Sequence, residues 1–329
     1  MGGYIVRRIL WAIPLLLFVS VVVYGLLELS PGGPTAMYLR RGGGISPEDI
    51  ARMEAALGLN DPFYLKYLRW LGRVLQGDFG MAVTSSRPVS AEIMDRLPNT
   101  LYLMAIAWAV SLLIAVPIGI LSAVKQYSKF DHLVTALTFV GQSIPSYFLG
   151  LILLLVFYMR LDNPITGGPL LPSGGVKTIG ADLAGWDLIQ DRIVHLILPV
   201  TMLAATWIAW YSRFLRASML ETIHLDYVRT ARAKGVRERA VILRHAFRNA
   251  AIPLVTIMAL DLPLLFAGAL YAEVIFSWPG MGRLFFQAAE RRDYGLLMAI
   301  VMITSALIIV GNLLADIAYR LLDPRIKLR

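Results

Sequence analysis

The chain has 329 residues, of which 57% are hydrophobic and 16% charged, whereas a soluble domain carries about 25% charged residues. So much apolar surface is stable only in contact with lipid, so the composition predicts a membrane protein. The sequence contains no cysteine, which excludes disulfides, thiolate metal sites and cysteine nucleophiles. Its four histidines form no HExxH or comparable pattern, and no metal site is expected.

Six segments reach the length of roughly 20 mainly apolar residues that a membrane-crossing helix requires. Their predicted limits are 9–29, 100–124, 133–158, 194–219, 250–275 and 296–320. The first follows two arginines, as in a signal peptide, but it is longer than a typical signal-peptide core and no small-x-small cleavage site follows it. We therefore expect a retained helix and an all-α polytopic membrane protein with six transmembrane helices.

The distribution of lysine and arginine indicates the orientation of these helices, because short cytoplasmic segments are rich in both. With the N-terminus inside, the cytoplasmic segments hold 17 of the 31 basic residues, and the two short external loops hold 6. Both termini are therefore predicted to be cytoplasmic. Topology explains the excess of basic residues and the net charge of +9 on the chain. Nucleic-acid binding is therefore not expected.

The long external loop, 30–98, contains two predicted helices. Ser46 as an N-cap and Pro47 at the first helical position favour a helix that ends at Gly58. A second helix is predicted over 64–75, where four leucines share one face. They are Leu65, Leu68, Leu71 and Leu75. We expect a small helical extracytoplasmic subdomain that rests on the membrane surface or on a partner.

The other long external connection, 160–192, is rich in glycine and proline. Both residue types interrupt regular structure. This connection is predicted to be irregular, with at most one short helix near 180–190.

The segment 220–249 is strongly basic and has a helix-turn-helix pattern. The run 226–234 favours a helix that ends at Gly235, where glycine suits the left-handed residue after a helix. Arg237 to Arg248 then predict a second helix that leads back into the membrane. A short helix on the membrane face can bind in a groove of a cytosolic partner and transmit movement. From charge alone, a solvated loop that fixes topology or contacts anionic lipid fits equally well.

The run 226–235 (DYVRTARAKG) resembles the coupling-helix segment of permeases from ATP-binding-cassette (ABC) importers, in particular the dipeptide, oligopeptide and nickel branch. Other stretches, in order along nearly the whole chain, are similar to that branch. They are 4–8 (YIVRR), 30–34 (SPGGP), 57–62 (LGLNDP), 67–70 (YLRW), 77–80 (GDFG), 96–100 (RLPNT), 143–147 (SIPSY), 195–199 (HLILP), 273–282 (EVIFSWPGMG) and 321–326 (LLDPRI). Arg229 stands where the generic superfamily pattern has glutamate, so no coupling salt bridge through such a glutamate is inferred.

The resemblance implies a type I ABC importer permease fold in a bacterial or archaeal plasma membrane. We divide the chain into 1–98, the first transmembrane helix with the external subdomain; 99–322, five transmembrane helices with the coupling segment at 220–248; and a cytoplasmic tail, 323–329. The implied partners are a second homologous permease, two cytosolic ATP-binding subunits, an extracytoplasmic solute-binding protein and the lipid bilayer. The residues implied to couple to the ATPase are Asp226, Tyr227, Arg229, Thr230, Ala231, Arg232, Ala233, Lys234 and Gly235.

Polar groups within spans are costly and are therefore functional candidates. The candidates for the translocation path are Gln142, Ser143, Asp261, Glu273 and Asn312. Pro145 should kink the third span beside the first two and free backbone carbonyls. The alternative for each candidate is interhelical hydrogen bonding or, for Glu273, a tie to an external arginine. Asp316, one turn from Asn312, is open to the same two interpretations.

No GxxxxGK[ST] motif occurs in the chain, so ATP and magnesium are expected on partner subunits and the chain is not expected to be an enzyme. The implied function is to form half of a path for di- or oligopeptides by ATP-driven alternating access. Nickel chelates, glutathione, opines and oligosaccharides remain alternative solutes. An intramembrane enzyme would need a catalytic constellation in the spans, and secondary transporters often contain inverted repeats; neither feature is evident.

Overall fold

The computed structural model describes residues 2–29, 61–83, 85–165, 167–267 and 269–322. This part of the chain is almost entirely helical, with two isolated β-bridges. The helix predicted between Ser46 and Gly58 and the predicted tail, 323–329, lie outside the described residues.

The α-helices, in chain order, are α1 (Gly2–Glu28), α2 (Phe63–Leu75), α3 (Val89–Val124), α4 (Lys129–Ser143), α5 (Ser146–Leu154), α6 (Gly185–Ile223), α7 (Asp226–Ala233), α8 (Glu238–Ala240), α9 (Phe247–Asp261), α10 (Leu264–Ala267), α11 (Leu270–Ile275), α12 (Met281–Arg291) and α13 (Tyr294–Leu322). Two π-helical segments complete them. Leu155–Arg160 continues α5, and Val241–Ala246 joins α8 to α9.

Among the described residues, five helical stretches are long and apolar enough to cross a membrane. They are Tyr4–Glu28, Val89–Val124, Gly185–Ile223, Glu238–Phe266 and Tyr294–Ile317. The remaining predicted span, the third in chain order, is the pair formed by α4 and the extended α5, which is bent by 101°. With this pair counted as one broken span, the six-span all-α prediction is confirmed.

The break in this pair lies at Pro145, but it is much larger than the predicted kink. Ile144 and Pro145 have extended backbone angles, with ψ of 122° and 134°. A proline disfavours the helical conformation of the preceding residue and has no N–H for a helical hydrogen bond. As a result, α4 ends at Ser143 and a new helix begins at Ser146.

The fifth span differs from the predicted single helix over 250–275, which is wrong. The candidate span runs over Glu238–Phe266 and is interrupted between α9 and α10, at Leu262 and Pro263. The chain leaves the helical conformation again before α11. Ala269, the residue before α11, has non-helical angles of φ −119° and ψ 65°. Asp261 therefore lies at the end of α9 rather than in mid-helix, and Glu273 belongs to a separate short helix.

The expected short helix near 180–190 is also corrected by the structure. The helix that begins at Gly185 is α6 itself, which continues without a break for 39 residues. The irregular part of this external connection is therefore shorter than predicted, and α6 extends well beyond the predicted span 194–219.

The most extensive helix contact in the bundle joins α3 to α6. Gly119 of α3 permits this close approach, because a Cβ at this position would lie 2.9 Å from the carbonyl oxygen of Ser212. Small residues let helix backbones approach one another in lipid, where the hydrophobic effect does not drive association. Ala115, Tyr211 and Leu215 are fully buried in the same cluster. The α3–α6 pair is thus the rigid centre of the fold.

The first helix packs on the last helix and on α2. Arg8 and Tyr4 both bind the Oδ2 atom of Asp316 in α13, at 2.7 and 2.8 Å. Ser20 and Tyr67 of α2 share a hydrogen bond of 2.8 Å. Asp316 therefore forms interhelical hydrogen bonds, which was the alternative to a place in the translocation path.

The helix predicted over 64–75 is confirmed as α2, but its buried face is aromatic. Tyr67 and Trp70 pack against Tyr24 of α1. The leucine face points away from the chain, and its exposed members are Leu65, Leu68 and Leu75. This face is available to lipid or to another protein.

Candidate functional site

A short helix and a glycine turn, residues 226–235, project from one end of the bundle; we call them the coupling segment. Val228 is fully buried and Ala231 is 7% exposed. Both belong to a core cluster that contains Ala123 at the end of α3 and Val241 at the start of the fifth span. One face of α7 is therefore packed directly on the ends of two spans.

The other face of the coupling segment is open to solvent. Its exposed residues are Asp226, Tyr227, Arg229, Thr230, Arg232, Ala233, Lys234 and Gly235. Asp226 and Arg229 form a 3.7 Å ion pair at the surface. Of the nine predicted coupling residues, only Ala231 points inward. The segment thus presents an exposed helix surface with three basic side chains and one acidic side chain, which is suited to a groove on a partner.

The turn after α7 depends on Gly235, which has a φ of +73°. Its N–H donates to the carbonyl of Arg232 at 2.9 Å, and the N–H of Val236 donates to that of Ala231 at 3.3 Å. These bonds satisfy carbonyls at the helix end, as in other glycine-terminated helices. A Cβ on Gly235 would meet no atom within 4 Å. The backbone conformation, rather than lack of space, therefore favours glycine.

An ion pair closes this turn on its other side. The Nη2 atom of Arg232 lies 2.9 Å from Oε1 of Glu238 in α8. The hydrogen bond that Arg232 donates to the Glu238 carboxylate raises the pKa of the guanidinium and favours the charged pair. α7 is thus linked to the start of the fifth span both by packing and by charge.

Three helices meet at Asp131, close to the same end of the bundle. Asp131 is 2% exposed, and Arg216 of α6 donates to both carboxylate oxygens at 2.7 Å. The hydroxyl of Ser122 in α3 and the N–H of Tyr127 complete its hydrogen bonds. Bidentate pairs of this kind are strong and geometrically specific. They join α3, α4 and α6 into one unit.

Gln142 and Ser143, two of the predicted path residues, lie at the break between α4 and α5. The side-chain oxygen of Gln142 accepts a hydrogen bond from Arg213 of α6. The guanidinium of Arg213 also lies 5.0 Å from the centre of the Phe139 ring. Ser143 is exposed, and its hydroxyl donates to the carbonyl of Phe139 at 2.8 Å. The break therefore carries a cation and an exposed hydroxyl.

Asp261 is the end of a polar chain that crosses the bundle. Tyr211 donates its hydroxyl to Oδ2 of Asp261 at 2.5 Å. The indole N–H of Trp108 in α3 donates to the Tyr211 oxygen at 3.1 Å. Asp261 is only partly buried, whereas Tyr211 is fully buried. One oxygen of the Asp261 carboxylate thus accepts a hydrogen bond within the bundle.

Glu273 is completely buried and caps the N-terminus of α12. Its Oε2 accepts the N–H of Arg283 at 3.0 Å, and the N–H of Gly282 also donates to this carboxylate. Thr100 of α3 donates to Oε1 at 2.7 Å and accepts the N–H of Met281 at 2.7 Å. A carboxylate at a helix N-terminus satisfies otherwise unpaired amides and the positive end of the helix dipole. Glu273 is therefore enclosed within the chain.

Replacing Gly280 by alanine should destabilise this cap, because a Cβ at this position would overlap the Glu273 carboxyl group. Overpacking of this kind costs about 1–3 kcal/mol. The matched control is Gly295→Ala, where the nearest atom to a Cβ is Oδ1 of Asp293 at 3.9 Å. We expect a lower thermal unfolding temperature for the first variant alone. Equal unfolding temperatures for the two variants would contradict this description of the cap.

Asn312 is exposed on α13. Among the described hydrogen bonds, none joins it to the Gln142–Arg213 pair, the Tyr211–Asp261 pair or the Glu273 cap. The structure thus brings Gln142 and Ser143 together and leaves the other predicted path residues at separate points of the bundle.

Three important side chains were not predicted as functional candidates: Asp131, Arg213 and Arg216. The two arginines lie within the predicted fourth span, 194–219. Their charge inside a predicted span was a signal that could have identified them.

Spans with a short exposed helix at one end and polar ties inside the bundle are consistent with a membrane permease that a separate protein drives. Two family models match the chain. "Binding-prot-dependent transport system membrane comp, N-term" matches residues 1–104, and "Binding-protein-dependent transport system inner membrane component" matches residues 115–328.

Known relatives match along their full length. The oligopeptide transport system permease protein AppB of Bacillus subtilis (strain 168) is 43% identical over 328 residues, which cover 99% of this chain and 100% of that protein. The dipeptide transport system permease protein DppB of Escherichia coli (strain K12) is 36% identical over 334 residues, which cover 98% of each. A solved structure of the MetNI methionine ABC transporter in an inward-facing conformation has a TM-score of 0.54 at 16% identity, over 70% of this chain and 95% of that chain.

The chain therefore belongs to the family of binding-protein-dependent transport system inner-membrane components. It is the membrane permease subunit of an ABC importer, with the type I permease fold. ATP hydrolysis belongs to a separate subunit, and membership of this family implies ATPase and solute-binding partners.

Proposed function

We propose that this chain forms half of the path through which an ATP-driven importer carries di- or oligopeptides across a bacterial or archaeal plasma membrane. The importer would contain a second homologous permease, two cytosolic subunits that bind ATP and magnesium, and an extracytoplasmic solute-binding protein. The basic residues favour cytoplasmic termini. The peptide permeases AppB and DppB, the relatives named above, support peptides as the solute. Nickel chelates, glutathione and oligosaccharides are the alternatives that a transport assay distinguishes.

The observation that carries the proposal is the two-sided construction of α7. Its exposed basic face suits an ATPase groove, while Val228 and Ala231 hold its other face on the ends of the spans. Closure of the ATPases on ATP would displace α7, and the buried contacts would pass this displacement to α3 and to the fifth span. The Asp131–Arg216 junction would make α3, α4 and α6 respond together. Such rigid-body movement is the basis of alternating access.

The proposed path residues are those that remain available to a solute. Ser143 and Asn312 are exposed in the chain, and Gln142 lies beside Ser143 at the helix break. Asp261 is partly exposed and is oriented by Tyr211. Glu273 is no longer included, because its carboxylate is fully enclosed by the α12 cap.

Cross-linking tests the placement of α7, and the absence of natural cysteine makes single-cysteine variants direct. Thr230→Cys places a thiol on the exposed face of α7. In the complete importer, we expect a short bifunctional reagent to join it to an ATPase subunit. The matched control is Glu290→Cys, an exposed position on α12 at the opposite end of the bundle. Cross-linking of the control to the ATPase, or none from Thr230→Cys, would contradict the proposed orientation.

A further inference from the structure

A cleft of about 500 Å³ lies between α3 and the start of the fifth span. Its volume falls in the range of roughly 300–1,000 Å³ that is usual for small-molecule sites. Eight of its nine lining residues are apolar: Val116, Pro117, Ile120, Leu121, Val124, Ile242, Leu243 and Phe247. The ninth is Arg239 of α8. We call this cleft the α3–α8 groove.

The groove has one charged end and one apolar end. Arg239 follows Glu238, the first residue of the fifth span, and Val124 is the last residue of the α3 span. The cation therefore lies at the ends of both candidate spans, and the α3 wall of the groove runs from there along the apolar part of α3. Three apolar lining residues, Leu121, Val124 and Leu243, are between 41% and 51% exposed in this chain. The groove is thus open along its side, where an apolar molecule can enter it.

Arg239 is available to a ligand. Its side chain is exposed, and it forms no hydrogen bond or ion pair with any residue that the structure describes. The nearby Arg232, by contrast, is already paired with Glu238. An arginine at the membrane boundary extends its guanidinium to the level of the lipid headgroups. Its preferred partner there is a phosphate, which it binds with charge-assisted hydrogen bonds.

We propose that the α3–α8 groove binds an anionic phospholipid of the cytoplasmic leaflet, with the phosphate on Arg239 and an acyl chain against Val116, Ile120 and Val124. A phospholipid brings an anion and an apolar chain in one molecule, which matches the two ends of the groove. An apolar transmembrane helix would cover the walls but would leave the guanidinium without an anion. The choice of leaflet rests on the proposed orientation of the chain.

The bound lipid would adjoin the coupling segment. A smaller cavity of about 170 Å³ shares Val124 and Ile242 with the groove and is also lined by Arg232 and Glu238. The lipid would therefore support the wall against which the turn between α7 and α8 rests. The site gives the membrane a direct contact with the part of the permease that couples to ATP hydrolysis.

The test measures lipid retained by the complete importer after equilibration in mixed micelles of dodecyl maltoside with equal amounts of phosphatidylglycerol and phosphatidylcholine. We expect the wild type to retain phosphatidylglycerol preferentially. Arg239→Gln should reduce this preference about ten-fold, as loss of a charge-assisted hydrogen bond of about 1.5 kcal/mol implies. The matched control is Arg237→Gln, which removes an exposed charge outside the groove. Equal losses of phosphatidylglycerol preference in both variants would attribute the effect to general surface charge and overturn the proposal. Unchanged preference in both variants would also overturn it.

A second pair of variants tests the apolar end without changing charge. Val124→Trp should fill the groove and lower phosphatidylglycerol retention, whereas Leu113→Trp, on the same helix at a position 73% exposed and outside the groove, should not. Unchanged retention in Val124→Trp would overturn the acyl-chain assignment. Efficient cross-linking of Leu121→Cys to the second permease would identify a protein as the occupant instead.

The lipid readout requires neither transport nor ATP hydrolysis. It can therefore fail while the coupling assignment stands. Conversely, the Thr230→Cys cross-link can fail while the lipid measurement remains valid. The cross-link also decides which leaflet the groove faces.

Discussion

Replacing Gly235 by valine is expected to lower solute-stimulated ATP hydrolysis by the complete importer about ten-fold, with basal hydrolysis retained. The glycine has a φ of +73°, and an L-residue pays roughly 1–2 kcal/mol in this left-handed region. A β-branched side chain is a genuine outlier there. This strain is enough to reduce the population of the intact turn several-fold. The turn would open and α7 would lose its fixed position between the ATPase and the spans.

Two further variants separate coupling from general strain. Gly180 in the external connection has a φ of +81° and equally open surroundings, so Gly180→Val carries the same local cost away from α7. We expect it to keep normal stimulation. Gly235→Asn should retain much of the stimulation, because asparagine tolerates the left-handed region. Normal stimulation of Gly235→Val by solute would refute the role of the turn.

Replacing Asp131 by asparagine is expected to be the most destabilising single change proposed here, at about 3 kcal/mol. The carboxylate is 3% exposed and the Arg216 side chain 25% exposed. Loss of one partner leaves the other charge largely buried, which typically costs 3–5 kcal/mol. The ties between α3, α4 and α6 would be lost at the same point. Thermal unfolding of the purified importer measures the effect.

The surface variant Asp226→Asn is the matched control, because it breaks an ion pair whose acid is 99% exposed. Exposed pairs contribute little to stability, and its unfolding temperature should not change. The double variant Asp131→Leu/Arg216→Met should recover part of the stability, since apolar replacement of both partners removes the unpaired charge. Similar unfolding temperatures for Asp131→Asn and Asp226→Asn would argue against the junction.

The spans and the coupling helix were predictable because each depends on local properties of the sequence. Long apolar runs must lie in lipid, and a helix that ends at Gly235 follows from the left-handed preference of glycine. The α7 prediction therefore agrees with the structure to within about one residue at its end, the usual precision of helix limits. The basic character of its exposed face also follows directly from composition.

The break after Asp261 and the role of Glu273 were not predictable in the same way. An acidic residue in an apolar run looks the same whether it lines a path or caps a distant helix. The partners of Glu273 are Thr100, far away in sequence, and backbone amides of α12, which no residue pattern reveals. Only the folded arrangement identifies its carboxylate as a cap.

The polar contacts between α4 and α6 were not predictable from the positions of the spans alone. Arg213 and Arg216 lie within the predicted fourth span, 194–219, and α6 continues past them to Ile223. Their partners, Gln142 and Asp131, come from α4, on the far side of a connection whose bend sequence alone did not specify. Tertiary contacts of this kind depend on helix crossing geometry, which hydropathy does not contain.

The most direct test of the central claim is uptake of a labelled peptide by proteoliposomes that contain the complete importer and its solute-binding protein. We predict that uptake requires ATP on the side of the membrane that carries the ATPase subunits and that vanadate stops it. In Gly235→Val, uptake should fall by the same factor as stimulated ATP hydrolysis. Uptake that proceeds without ATP on an ion gradient, or that is unaffected by vanadate and by Gly235→Val, would contradict the account of this chain as the permease of an ATP-driven importer.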